Sequence, residues 1–391
     1  MIKNLCIITN KYPNKYEPNV VVFVQQLVWQ LAKQGVNCTV ISPMQVNIHP
    51  KYITMPFDNV ELTDTGEQIR ILRPKYLTLG QTTICGYNPA KISTKSFELC
   101  VERTIKKCGT KFDALYSHFV TPAGIATARL GRKLGLPAFM AHGEATMMTI
   151  NAFGGPKNVA KELYSLAGVV AVSHHNRKML SDNAIVADEN IQVFPNGFNP
   201  LRFYPADRAE ARAHFGFPQD AFIVGFVGSF DDRKGILRLQ EAADRLGVKF
   251  ACAGKGAQKP TSENCIYSKP VLHDELVLFN NACDILALPT RMEGCCNAIV
   301  EAVACGLPVV SSDRLFNRDI LDQTNAILIE PDDVDGLTEA IRTLRDDAAL
   351  REKLAAGSRE MAKKLTLEQR GENILRFLNE RVDRYGRKDC V

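Results

Sequence analysis

The run Thr290-Arg291-Met292-Glu293-Gly294-Cys295-Cys296-Asn297-Ala298-Ile299-Val300-Glu301 sets two acids, Glu293 and Glu301, eight residues apart across a loop-to-helix junction. Before it, Ile285-Leu286-Ala287-Leu288-Pro289 has the apolar run of a buried strand. After it, residues 298–305 have the pattern of a short helix, with Gly306 at its C-cap and Pro308 beyond. A strand, a loop and a helix in that order leave the first backbone N–H groups of the helix pointing outward above a sheet. Helix starts of this kind bind phosphate. With Glu293 in the loop and Glu301 about one turn inside the helix, one carboxylate can meet a group beyond the phosphates. The other can accept from ribose hydroxyls, and the pattern suits a nucleotide-sugar.

Outward from this run, short apolar strands alternate with helical stretches along the whole chain, which predicts an α/β protein with parallel sheets and crossover helices. Strands are expected at 5–8, 38–41, 114–116, 138–141, 169–172 and 191–194, and again at 222–227, 248–251, 285–288, 309–311 and 326–329. Val20, Val24, Leu27, Val28 and Leu31 recur at helical spacing before Gly35 and predict the first helix. Between residues 46 and 92 Pro, Gly and Thr break the pattern, and an insertion or lid is expected. Residues 195–205 are rich in turn formers and without periodicity. The expected organisation is therefore a first domain over 1–195, a linker over 196–205, a second domain over 206–365 and a closing segment, 366–391, whose helix covers 367–384.

The 391 residues suffice for two cores, and 46% hydrophobic with 23% charged residues is the composition of a soluble globular protein. No apolar run reaches the roughly 18 residues that span a bilayer, and the N-terminus enters a strand pattern directly, so a cytoplasmic location is expected. The twelve cysteines are scattered, several (Cys6, Cys38, Cys252, Cys283, Cys305) in apolar patterns, and no CxxC pair occurs, so no metal is expected. Through Asn196 the chain has 21 Lys and Arg against 13 Asp and Glu; the remainder has 27 against 30. That asymmetry points the first half toward an anionic partner. Arg103, Lys106 and Lys107 share roughly one helix face that could lie on anionic lipid head groups. Basic residues without interleaved aromatics exclude a nucleic-acid module.

The run from Thr290 with its surroundings, Glu293-Gly294, Asn297, Ala304-Cys305-Gly306 and Pro308-Val309-Val310, resembles the E-x7-E signature of retaining GT-B glycosyltransferases of family 4. The linker Pro195-Asn196-Gly197-Phe198-Asn199 resembles the family's P-N-G-x-D, with Asn199 where Asp is commoner. Gly228-Ser229-Phe230-Asp231-Asp232-Arg233-Lys234-Gly235 is similar to its G-R-L-x-x-x-K-G element, whose Lys and Arg hold the donor diphosphate. Lys234 matches, Ser229 replaces the usual Arg, and Arg233 can compensate only by pointing inward. Ala141-His142-Gly143-Glu144 resembles the H-G placed beside the donor sugar; Ala145 stands where Asp is frequent, and Glu144 is one place earlier. Gly254-Lys255-Gly256 matches the G-x-G turn after the second strand. Thr9-Asn10-Lys11-Tyr12-Pro13 resembles the opening T-x-x-Y-P loop, but Asn19-Val20 replaces the usual Gly-Gly. A β-branched residue takes φ > 0 with difficulty, so this loop must approach a donor differently. Asp333-Val334-Asp335 spells a D-x-D, yet at a helix start it is expected to cap.

The resemblance implies two facing Rossmann-like domains with the last helix crossing back to the first. It implies a sugar transfer from a nucleoside diphosphate, UDP in preference to GDP, to a glycan or lipid-linked acceptor hydroxyl, with retention and without metal or other cofactor. Lys234, Glu293 and His142 are the expected catalytic residues. Ser229, Arg233, Lys234, Gly294, Cys295, Cys296, Asn297 and Glu301 are expected at the donor, with Glu144, Gly254 and Gly256 as further candidates. Cell-surface polysaccharide or glycolipid assembly at the inner membrane face is the expected setting, with a peripheral membrane contact. Two other classes remain open at this level: a nucleotide-sugar epimerase of the same fold, and a non-catalytic partner subunit.

Overall fold

Strand β1 (Asn4–Ile8) is apolar on both faces, as a parallel strand covered by helices on two sides must be. In the computed structural model, which describes residues 1–80 and 88–388, its side chains alternate between two cores. Leu5 and Ile7 pack with Val24, Leu27, Val28 and Leu31 of helix α1 (Val22–Lys33). Cys6 and Ile8 pack with residues of α2 (Ala90–Lys107) and α3 (Ile125–Leu134) on the opposite face. The two-residue period of the pleat thus assigns each side chain to its layer.

The chain divides into two units, Met1–Phe194 with Glu368–Val391, and Pro195–Leu367. Among the described residues, the first unit has one large sheet of β1, β2 (Asn37–Ile41), β3 (Asp58–Leu62), β4 (Gln68–Leu72), β5 (Ala114–His118), β6 (Ala138–His142), β7 (Gly168–Ala171) and β8 (Ile191–Val193). Their order is β8-β7-β6-β5-β1-β2-β4-β3, parallel throughout except that β3 runs antiparallel to β4. The insertion or lid expected over 46–92 is corrected in part. Residues 58–72 extend the sheet, and Ile69 and Ile71 are fully buried. The two strands, β3 and β4, are short and bounded by turn formers, which hid them; residues 81–87 of the same stretch lie outside the described residues. The closing helix (Leu367–Lys388) joins this unit: Phe377 meets the rings of Phe139 and Phe194, and Gly168 leaves the space that its ring fills.

Helix α1 begins in strain. Val21, its N-cap, has φ 42° and ψ 43°, so a β-branched residue beside the Asn19-Val20 pair occupies the left-handed region after all. Its side chain packs against the first core, which offsets the cost.

The second unit has strands β9 (Ile223–Val227), β10 (Lys249–Ala253), β11 (Cys265–Lys269), β12 (Ile285–Leu288), β13 (Val309–Ser312) and β14 (Ala326–Ile329). They are all parallel, in the order β11-β10-β9-β12-β13-β14. Strand β11 was not expected; it is a half-buried edge with too few apolar residues to stand out. The sequence order reverses between β9 and β12, as it does between β1 and β5 in the first unit. Open α/β sheets bind ligands beyond the carboxyl ends of their strands at such a reversal. Among the described residues no helix is long and apolar enough to cross a membrane.

Candidate active site

Two loops leave the second sheet where its order reverses. One follows β9 and leads through Gly235 into α4 (Ile236–Leu246); the other follows β12 and leads through Cys296 into α5 (Asn297–Ala304). Asp231 shapes the first loop: its carboxylate accepts from the Ser229 hydroxyl at 2.6 Å and from the Lys234 N–H at 2.9 Å. The Lys234 stem then lies over Gly228, where an added Cβ would meet it at 3.5 Å. The two glycines after β10 press on the same turn. A Cβ at Gly254 would fall 1.8 Å from the Gly228 carbonyl oxygen, and one at Gly256 2.3 Å from that of Phe230. These glycines support the loop that carries Lys234 by letting backbone meet backbone.

Lys234 is buried, and its Nζ lies 2.7 Å from Glu293 Oε1. Arg233 pairs with the same oxygen and donates to the Met292 carbonyl at 3.0 Å, so it does turn toward the cluster. The Thr290 hydroxyl adds a third donor at 3.1 Å. Burial works against the Lys234 charge, but the Cys296 sulfur and Glu293 outweigh it, and the ammonium titrates above its ordinary value. The Cys296 thiol, 3.6 Å away, is itself pushed up by burial. Glu293, at 2.7 Å, is the carboxylate that holds Lys234.

Cys296 is the N-cap of α5, and no side chain caps that start. Its first N–H groups are therefore those free for an anion. The preceding chain is held to this helix by Asn196, whose N–H donates to Cys295 Sγ at 3.4 Å and whose amide donates to Asn297 Oδ1 at 2.8 Å. Glu301, one turn inside the helix, has the opposite setting to Glu293. Burial pushes its carboxyl up to about 8. Its nearest cationic candidate is His273, 3.8 Å away. Burial and then Arg202 push that ring down, and because Arg202 donates to Nδ1 at 3.3 Å the ring proton sits on Nε2, toward Glu301. Asp333, in the D-x-D, caps the following helix by accepting from Gly336 N–H at 2.8 Å.

In the first unit, His142 ends β6 and is fully buried. Its Nδ1–H donates to Glu144 Oε2 at 2.6 Å, and the other Glu144 oxygen accepts from the Val120 N–H at 2.7 Å. Burial raises the Glu144 carboxyl, but His142 and the backbone N–H groups outweigh it, so it titrates below the usual range and is charged. A charged Glu144 fixes the proton on Nδ1 and leaves His142 Nε2 buried without a hydrogen-bond partner. Asn10, after β1, ties the loop beyond β5 in place: its amide donates to the Thr121 carbonyl at 2.9 Å and its Oδ1 accepts from Ala123 N–H at 3.2 Å.

The second unit thus gathers Lys234, Arg233, Glu293 and Cys296 into one cluster with Asn297 and Glu301 on the adjoining helix. The first unit gathers His142 and Glu144. The Ser229 hydroxyl goes to Asp231 and shapes the turn. Sequence reasoning passed over Asp231, Thr290, His273 and Asn10. Asp231 and Thr290 each precede their partner by three residues, a spacing that could have been noticed. His273 reaches Glu301 from a separate loop and left no signal. Among the described residues no group of three His, Cys, Asp or Glu is placed to hold a metal ion.

Two family models match in succession, Glycosyltransferase Family 4 over residues 20–202 and Glycosyl transferases group 1 over 221–347. The chain is a GT-B glycosyltransferase. TuaC of Bacillus subtilis, named as a teichuronic acid biosynthesis glycosyltransferase, is 26% identical over 346 residues, covering 85% of this chain and 87% of TuaC. Sucrose-phosphate synthase of Thermosynechococcus elongatus shares the fold with a TM-score of 0.75 at 18% identity, over 97% of this chain and 98% of that one. Anabaena HepE, solved in complex with UDP, gives 0.72 at 14% identity over 97% and 100%. In this glycosyltransferase the Lys234 cluster falls within the group 1 match and the His142–Glu144 pair within the family 4 match.

Proposed function

We propose that this glycosyltransferase moves a sugar from a nucleoside-diphosphate-sugar to an acceptor hydroxyl with retention of anomeric configuration. The observation that carries the reading is the cluster of Lys234 and Arg233 on Glu293 beside the uncapped start of α5, at the order reversal of the second sheet. The ammonium, the guanidinium and the first N–H groups of the helix are donors that suit a diphosphate. Lys234 neutralises the charge that builds on the departing nucleoside diphosphate, a contribution made mainly in the transition state. Glu301 accepts from the ribose hydroxyls, and Glu293, held by its two cations, faces the donor sugar. In the first unit His142, whose Nε2 has no hydrogen-bond partner, is a polar group for a substrate hydroxyl, and Glu144 positions it. The acceptor attacks on the face from which the diphosphate leaves. Lys234, Arg233 and the helix amides supply the positive charge, so the scheme invokes no metal.

UDP is proposed over GDP as the nucleotide, in line with HepE, which has been solved with UDP and with UDP-glucose. The name of TuaC supports a role in cell-surface polysaccharide assembly, with a glycan or lipid-linked acceptor. The test needs no acceptor, because glycosyltransferases can pass the sugar slowly to water. Purified protein is incubated with UDP- and GDP-sugars while nucleoside diphosphate release and the anomeric proton are followed by NMR. Release of sugar first in the donor's own configuration is expected. Release in the inverted form, an epimerised nucleotide-sugar, or no release from any donor would overturn the reading.

A further inference from the structure

Helix α2 turns both of its acids inward. Glu98 pairs with Lys95 and Arg129, and Glu102 with Lys106 and Lys133, so each carboxylate is buried and neutralised by two cations. Its exposed residues include Lys91, Lys95, Arg103, Lys106 and Lys107, with no exposed acid among them. Of the three cations expected to share a face, Lys106 is tied to Glu102, whereas Arg103 and Lys107 line a groove of about 440 Å³. Lys75, Phe57, Leu77 and Leu99 line it as well, and Leu77 is 65% and Phe57 48% exposed. Asp58, next to Phe57, is neutralised by Arg70 at 2.6 Å.

The polar groups inside the groove are already committed to neighbouring backbone. Ser96 donates to the Leu77 carbonyl at 2.6 Å, Thr104 to the Cys100 carbonyl at 2.9 Å, and Lys75 to the Ile53 carbonyl. With both hydroxyl donors and one ammonium donor used, these groups offer a peptide few directional donors. What remains is exposed apolar surface bordered by uncompensated cations, the pair of features that an anionic bilayer surface recognises.

We propose that this face, formed by α2 and the segment 53–79, docks the protein on anionic membrane lipid, with Leu77, Leu99 and Phe57 entering the head-group boundary and Arg103 and Lys107 on lipid phosphates. The docking does not depend on the sugar-transfer reading and can fail or stand separately from it.

The full chain is sedimented with vesicles of phosphatidylcholine alone or with phosphatidylglycerol added, at 0.05 and 1 M salt. Binding is expected only with phosphatidylglycerol, and it should weaken as the Debye length shrinks to about 3 Å. Each cation contributes about fivefold, so Arg103→Ala/Lys107→Ala should bind roughly thirtyfold more weakly. Leu77→Ser/Leu99→Ser should lose the binding that survives high salt. Lys353→Ala, on an exposed residue of the second unit, should bind as wild type. No binding to phosphatidylglycerol vesicles, which would leave an acidic protein as the better partner, overturns the proposal. So does equal binding by Arg103→Ala/Lys107→Ala and Lys353→Ala.

Discussion

The two sheets reverse their strand order in the same manner, yet they furnish the reversal with different electrostatics. In the second unit a carboxylate, Glu293, is shared by Lys234 and Arg233, and full charges stand in contact beside an uncapped helix. In the first unit the charged carboxylate beside His142, Glu144, is held by an imidazole N–H and a backbone N–H. The difference teaches what each end can do. Full positive charge held in place suits an anion, whereas a ring with its proton fixed on Nδ1 presents one defined hydrogen-bonding atom.

The comparison breaks most readily at Lys234. Lys234→Ala is expected to lower kcat at least a hundredfold, about 3 kcal/mol of transition-state stabilisation, with a smaller loss of donor affinity. Steady-state kinetics within threefold of wild type would remove Lys234 from the chemistry. A smaller effect is expected in the first unit. Glu144→Gln keeps the shape but removes the charge that fixes the His142 proton, and kcat should fall about tenfold with donor KM nearly unchanged. If KM rose instead while kcat held, the pair would serve binding rather than orientation.

The two acids of the E-x7-E run sharpen the contrast within one unit. Glu293 is ion-paired, but Glu301 has a carboxyl raised from an ordinary 4.5 to about 8. Because the folded value exceeds the unfolded one, the folded state holds the extra proton between those values. Its contribution to stability is present at low pH and declines between about pH 4.5 and 8, by up to about 1.4 kcal/mol per unit, and is flat above. Melting curves of Glu301→Gln against wild type should therefore diverge in the variant's favour from pH 5 to pH 8. A constant difference would contradict the burial argument. The same variant should weaken donor binding by roughly tenfold while leaving kcat nearly intact, since a ribose contact is made about equally in ground and transition states. The smallest effect is expected for Arg233→Ala, a few-fold rise in donor KM, because the guanidinium is partly exposed and Lys234 remains on Glu293.

Much of this was legible in the residues. Strand β12, the loop and helix α5 could be read from apolar runs and from Gly306 and Pro308, because buried parallel strands are continuous in hydrophobicity. Strands β3 and β11 could not, since edge strands carry exposed polar residues that break the pattern, and β4, inside the sheet, is a run of only five residues in which Gln68 and Arg70 alternate with buried Ile69 and Ile71. Spacing brought out Glu293 and Glu301, and the family resemblance Lys234, but local sequence could not foretell that Arg233 turns toward Glu293. Nor could it foretell that Ser229 is used by Asp231 or that His273 approaches Glu301 from another loop. Those depend on tertiary packing, to which local sequence is blind. Val21 is the converse case: a local rule against positive φ for a β-branched residue was overridden by the packing around it.

The central claim is that the Lys234 cluster holds a nucleoside diphosphate. Calorimetric titration of the full chain with UDP and with GDP, in wild type, Lys234→Ala and Lys353→Ala, tests it without knowledge of the sugar or acceptor. The account predicts binding of UDP in preference to GDP by wild type and Lys353→Ala, and at least tenfold weaker binding by Lys234→Ala. Binding of neither nucleotide, or equal binding by Lys234→Ala and wild type, would contradict it.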